Sequence, residues 1–298
     1  MTSEEELDEV DRIHDDEPER AAAALRTLDA ACLPAGRLPL LGFLLLHVLG
    51  EKLGHWTEAA DRLDSLRTAR RDAPLAVLAH AAAAAHLADR PGSQALADLA
   101  VAGGAAEAGT LVALAALGWR APPETAVFAA ELERLATESE QLDANGPLGQ
   151  RLAIGFNNAT SQLLDLVTPP VDPTPRSALL AGSAAALRFW LAAGTWVNHE
   201  RALYLRALVH NRVGNAAAAR DACRQALDVI LANGEEPIDQ TFLRLQLAGA
   251  LMTLGELTEG QQQLAEARSA AAQWDDAGLK AWFEGEYRRL FSREECKT

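Results

Sequence analysis

A chain of 298 residues with 49 % hydrophobic but only 5 % aromatic side chains carries its apolar share mostly as Ala and Leu. Both are strong helix formers, and the alternating Val- and Ile-rich runs that mark strands are almost absent, so an all-α fold is expected. The formal net charge of −15 repels phosphate backbones and excludes nucleic acid as a direct ligand.

The charge is uneven. Residues 1–20 hold ten acids against Arg12 and Arg20, which reads as a solvated first helix or an acidic tail for a basic partner. Ser3 is placed to cap that helix with Glu6 reaching back. Pro18 opens a second helix, expected to run from Glu19 to Ala31 before Leu33-Pro34-Ala35-Gly36 breaks it. Residues 1–36 form this acidic segment.

Residues 37–168 read as degenerate helical pairs. Leu40 to Leu53 is an unusually apolar helix, Gly54 turns the chain, and Trp56 to Arg71 is its partner with Ala59 and Leu63 inward. A weaker pair follows, with Gly92 at its turn. Ala105–Leu117 and Pro123–Glu138 make another pair, joined through Gly118 to Pro122. The polar stretch from Glu138 to Pro147, with its Asn-Gly turn, is a first seam. A long helix then runs from Leu148 to Val167.

PPVDPTP places four prolines in seven residues, and residues 169–176 are therefore the expected linker. Beyond it, residues 177–298 carry the clearest pattern. Ala207, Gly214 and Ala226 are echoed by Ala248, Gly255 and Ala267, each 41 residues on. A constant offset across small-residue and turn positions means a helical repeat. Trp274–Phe291 puts Leu279, Trp282, Phe283, Tyr287, Leu290 and Phe291 on one face, with Lys280, Glu284, Arg288 and Arg293 polar, which suits a helix capping an open end.

The spacing at 200–227 and 241–268 resembles the tetratricopeptide repeat. In the second unit Leu247-Ala248 stand at the family's Leu-Gly pair, Leu251 at its Tyr, Gly255 at the turn and Ala267 at the later Ala, while Gly260 and Leu264 replace Ala and Phe. The first unit has Leu203, Ala207, His210, Gly214, Ala219, Cys223 and Ala226 at these places, with Arg206 departing from the family's Leu. The 41-residue step exceeds the family's period of about 34. The resemblance implies a right-handed α-solenoid of helix pairs with a C-terminal capping helix, in which first helices line a concave groove.

On that implication the groove face of residues 200–214 is Arg201, Tyr204, Leu208 and Asn211. Phe242 and Leu245 take the equivalent places downstream, and Leu41 and Leu44 upstream. Asn157 and Asn158 stand in an otherwise apolar run, where Asn competes with the helix for backbone hydrogen bonds. Asn and Arg in a groove suit an extended peptide or a carboxylate. Ties between adjacent repeats are the structural alternative.

No nucleophile elbow, phosphate loop, dinucleotide fingerprint or Cys-x-x-Cys is present. His47 and Glu51 stand one turn apart without a third ligand in sequence, and His199 and Glu200 read as solvated. Cys32, Cys223 and Cys296 are scattered, with the first two in helical, buried contexts, so neither a disulfide framework nor a zinc site is implied. Leu38–Gly50 is too short for a membrane span, and Leu99–Trp119 is diluted by Glu107, glycines and alanines. The N-terminus lacks a signal-peptide pattern, and a cytoplasmic setting is expected.

The expected function is thus a non-enzymatic scaffold, without cofactor or metal, that binds a protein or peptide and neither nucleic acid nor membrane. A regulatory sensor for a small peptide or metabolite is one alternative. A homodimer closed through the apolar faces near Leu41 and Phe242 is the other.

Overall fold

A computed structural model describes residues 2–119 and 124–291. Within these residues every regular element is helical and there is no strand. The joint at 120–123, Arg293 and Cys296 lie outside the described residues. The chain divides into two compact units, Met1–Pro123 with Glu138–Gly155, and Glu124–Thr137 with Phe156–Thr298.

In the first unit α1 (Ser3–Ile13) is capped one residue earlier than expected. Thr2 and Glu5 exchange reciprocal hydrogen bonds, and Leu7, Val10 and Ile13 form the buried face. Helix α2 (Pro18–Thr27) stops short of Ala31. The Asp29 carboxylate accepts from the Ala31 amide at 3.0 Å, and a side chain that competes for a backbone donor favours a turn over helix. Cys32 is consequently exposed rather than buried.

Helix α3 (Leu38–Leu44) continues as a π-helical stretch, Leu45–Lys52, where a uniform helix was expected. The Trp56 ring lies against Gly50 so closely that a Cβ there would collide with it. Gly54 turns the chain at φ +72°, a conformation glycine adopts without steric cost. The unit continues through α4 (Trp56–Ala69), α5 (Leu75–Leu87), α6 (Gln94–Gly103) and α7 (Ala105–Trp119). Nine residues of α5 are buried, most of them Ala, and this lets neighbouring helix backbones approach closely.

The remaining helices are α8 (Thr125–Ser139), α9 (Gly149–Leu166), α10 (Pro173–Ala193), α11 (Trp196–Arg212), α12 (Ala216–Asn233), α13 (Pro237–Thr253), α14 (Leu257–Ala272) and α15 (Ala277–Phe291). Two of the four prolines in PPVDPTP, Pro173 and Pro175, stand in the first turn of α10, where the missing N–H costs nothing. In the second unit α11, α12, α13 and α14 each pack on the next, while α11 also meets α13 and α13 meets α15. This is the stacking of a helical array. Its seam is made of the small residues that repeat: Ala207, Ala226, Ala248 and Ala267 are all fully buried. The turns repeat too, with Gly214 and Gly255 at φ +76° and +82°. The all-α class and the consecutive pairing of helices are therefore both present.

Candidate functional site

Helix α11 carries most of the residues singled out from the sequence. Thr195 caps it, its amide and hydroxyl both donating to Asn198 Oδ1 at 3.0 and 3.1 Å. Ala207 is fully buried in the repeat seam, while Arg201 is exposed and Tyr204, Leu208 and Asn211 are half-buried.

Two of those four are committed to α13. Arg201 is 57 % exposed but its Nε lies 2.9 Å from Asp239, with Glu236 at 3.9 Å. Asn211 donates its amide to the Gln246 backbone carbonyl and side-chain oxygen. From Gln246 the polar chain runs on: its amide donates to Glu286 at 3.2 Å, Arg289 meets Glu286 at 2.7 Å and Asp165 at 3.4 Å. A line of hydrogen bonds and ion pairs thus links α11, α13, α15 and α9. Leu208 is half-buried. Tyr204 packs 6.4 Å from the Phe242 ring, and its buried hydroxyl has no partner.

Phe242 and Leu245 are core residues, 1 % and 0 % exposed. Helix α15 covers them: Trp282 lies 4.2 Å from Phe242, Phe283 lies 6.0 Å away, and Leu290 fills the space a Cβ would need at Gly249. The apolar stripe of α15 and the apolar face of α13 satisfy each other. On α9, Asn157 is half-buried and Asn158 exposed, and among the described residues no hydrogen bond joins either to α11.

Sequence reasoning missed Glu200, which is fully buried rather than solvated. Its carboxyl lies against the Asp239 carboxylate, to which the protonated form can donate, and Arg201 Nε stands 3.5 Å from one of its oxygens. Burial, reinforced by the Asp239 carboxylate, pushes its pKa up to about 8, so the group is a neutral acid at pH 7. His199 Nε2 and His210 Nδ1 are enclosed without partners. A half-buried Arg206 on the same helix makes no ion pair among the described residues, and burial lowers its pKa. No sequence signal marks these groups, because their burial comes from neighbouring helices.

The first unit holds a cavity of about 580 Å³ lined by Leu25, Leu28, Leu41, Leu45, Glu58 and Arg62 among others. Compared with known proteins, the chain matches no family model, no curated protein and no solved structure.

Proposed function

We propose that the chain is a non-enzymatic, tetratricopeptide-like scaffold that holds a protein or peptide segment on the α11 face of its second unit. One observation carries the reading. Arg206 on α11 is half-buried, burial lowers its pKa, and it has no ion pair among the described residues. A partly buried guanidinium without a counter-charge is costly to hold and can bond a group that a partner brings. A peptide backbone supplies carbonyl acceptors for such a group.

Leu208 is half-buried on the same helix, and Asn158 is an exposed polar group on α9. The carboxylates Glu236 and Asp239 outnumber Arg201 at one end of α11, which favours a segment carrying a basic side chain there. Such a scaffold uses no cofactor, and no described helix is long and apolar enough to cross a membrane. The sensor reading has less to stand on, since Arg201 and Asn211 are spent on α13. A homodimer has less still, because Leu41 and Phe242 are already covered within the chain.

Selection of a displayed peptide library on the purified chain tests the proposal, followed by titration of enriched peptides against an Arg206→Gln/Asn158→Ala variant. Enrichment of basic peptides that the variant binds at least about tenfold more weakly, a loss near 1.4 kcal/mol, supports it. No enrichment, or equal binding by the variant, overturns it.

A further inference from the structure

We propose that His14, Asp15 and His47 form a binding site for a divalent transition-metal ion, zinc by the nature of the donors, which fastens the α1–α2 turn to α3. His14 ends α1, Asp15 follows in the turn, and His47 lies on the π-helical stretch. The three ligand atoms all fall within 4.8 Å of one another. His14 Nε2 lies 3.4 Å from one Asp15 oxygen and His47 Nε2 lies 3.3 Å from the other. Zinc bonds near 2.0 Å place the ligand atoms of a tetrahedron about 3.3 Å apart. The imidazoles reach different oxygens of Asp15, so metal binding draws one oxygen and the two rings together from the 4.8 Å within which one ligand atom of each residue lies.

The surroundings of the rings point the same way. His14 Nδ1 meets the Asp11 carbonyl, and His47 Nδ1 meets the Glu51 carboxylate. With each Nδ1 held by an acceptor, each Nε2 faces Asp15, where His47 shares a proton with the carboxylate that a metal ion would replace. Metal-bound histidines are oriented in this manner, by a carbonyl or carboxylate on the other ring nitrogen. His47 also stacks on Phe43 at 5.3 Å and meets Trp119 edge-on at 5.8 Å. The two histidine side chains are only 18 % and 12 % exposed, whereas Asp15 is 63 % exposed. The set is therefore shielded on the ring side and open to a water ligand on the other.

A competitor is built in. Lys52 Nζ lies 2.8 Å from Asp15 and supplies the positive charge that a metal would otherwise bring. Metal binding displaces it, so removing that charge strengthens binding, whereas a purely ion-paired cluster would only be weakened.

The test is calorimetric titration of the chelator-treated full chain with zinc chloride, with cobalt as a spectroscopic stand-in. The wild type takes up one equivalent, and its melting temperature rises with zinc. His14→Gln and His47→Gln each weaken binding by at least about tenfold and the double variant abolishes it. Glu51→Gln, acting through His47, weakens it about tenfold. Lys52→Met keeps every ligand and tightens binding about fivefold, the effect of one unit charge near 4 Å in a watery dielectric. Far-UV circular dichroism in chelator establishes that each variant is folded. A wild type that takes no zinc at micromolar metal overturns the proposal. So does a double variant that still binds its equivalent, or a Lys52→Met chain that binds more weakly.

Discussion

The side-chain amide of Asn211 reaches across from α11 to donate to Gln246 twice, to the backbone carbonyl at 3.0 Å and to the side-chain oxygen at 2.9 Å. A residue suited to a ligand groove is thereby spent on the seam between repeats. Asn211→Ala leaves two partly buried acceptors without a donor and should cost about 1–3 kcal/mol. Asn158→Ala, at an exposed position, should stay within about 0.5 kcal/mol. Urea unfolding of the two variants checks the contrast, and an unchanged midpoint for Asn211→Ala would remove that residue from the seam.

Glycine substitutions should have opposite signs according to place. Gly214 and Gly255 sit at positive φ, so alanine there should destabilise by about 1 kcal/mol or more each. Gly109 is exposed in the interior of α7, and a Cβ there would meet nothing within 4 Å. Gly109→Ala should stabilise by about 0.5–1 kcal/mol through helix propensity. Scanning calorimetry on the three variants reads both signs.

Two groups give the first unit an acid dependence. The His80 Nδ1 is enclosed without a partner and burial, with Arg151 nearby, pulls its pKa down to about 4. The unfolded chain takes up that proton near pH 6.5 and the folded chain does not, so stability falls as pH drops from about 6.5 to 4, by on the order of 2–3 kcal/mol. Glu58 is held down to about 2, chiefly by its hydrogen bonds from Arg26. Its contribution is complete above the unfolded value near 4.3 and is lost as pH falls toward 2, worth no more than about 1 kcal/mol given its partial exposure. Denaturant melts at pH 7, 5 and 3 should show the upper window vanish in His80→Asn and the lower one in Arg26→Gln. A wild type whose stability is flat across this range would refute both assignments.

The two described thiols should differ in reactivity. Cys223 is fully buried and burial raises its pKa far above the usual thiol range, so the thiolate required for attack does not form. Cys32 is exposed, and its hydrogen bond to Asp29 at 3.3 Å raises its pKa. Alkylation followed by peptide mapping should label Cys32 in the native chain and Cys223 only on unfolding, with Asp29→Asn speeding the first reaction. Native labelling of Cys223 would contradict its burial.

What the sequence made legible was backbone geometry. Close helix approach requires small residues and a left-handed turn favours Gly, so the 41-residue echo marks seam and turn without further information. Side-chain partners were less legible. Phe242 and Leu245 carry an apolar signal that says they are covered but not by what, and the cover is α15. Glu200 at a helix start has the signature of a solvated acid, and only the packing around it and Asp239 makes it a neutral one. His47 and Glu51 were visible as a pair one turn apart. His14 and Asp15, more than thirty residues earlier in the chain, join them only because the α1–α2 turn is folded against α3.

The junction of Phe242 with α15 also limits the length of the array. One period earlier the same place is held by Arg201, which pairs with Asp239 of the following repeat. An interior repeat thus carries a charge that invites another repeat, and the last one carries an aromatic ring that accepts Trp282 and Phe283 instead. Loss of the final repeat would leave the terminal helix facing a guanidinium, with nowhere to bury its rings. Termination is thus written into one side chain, and Phe242→Arg should turn a closed end into an open, aggregation-prone one.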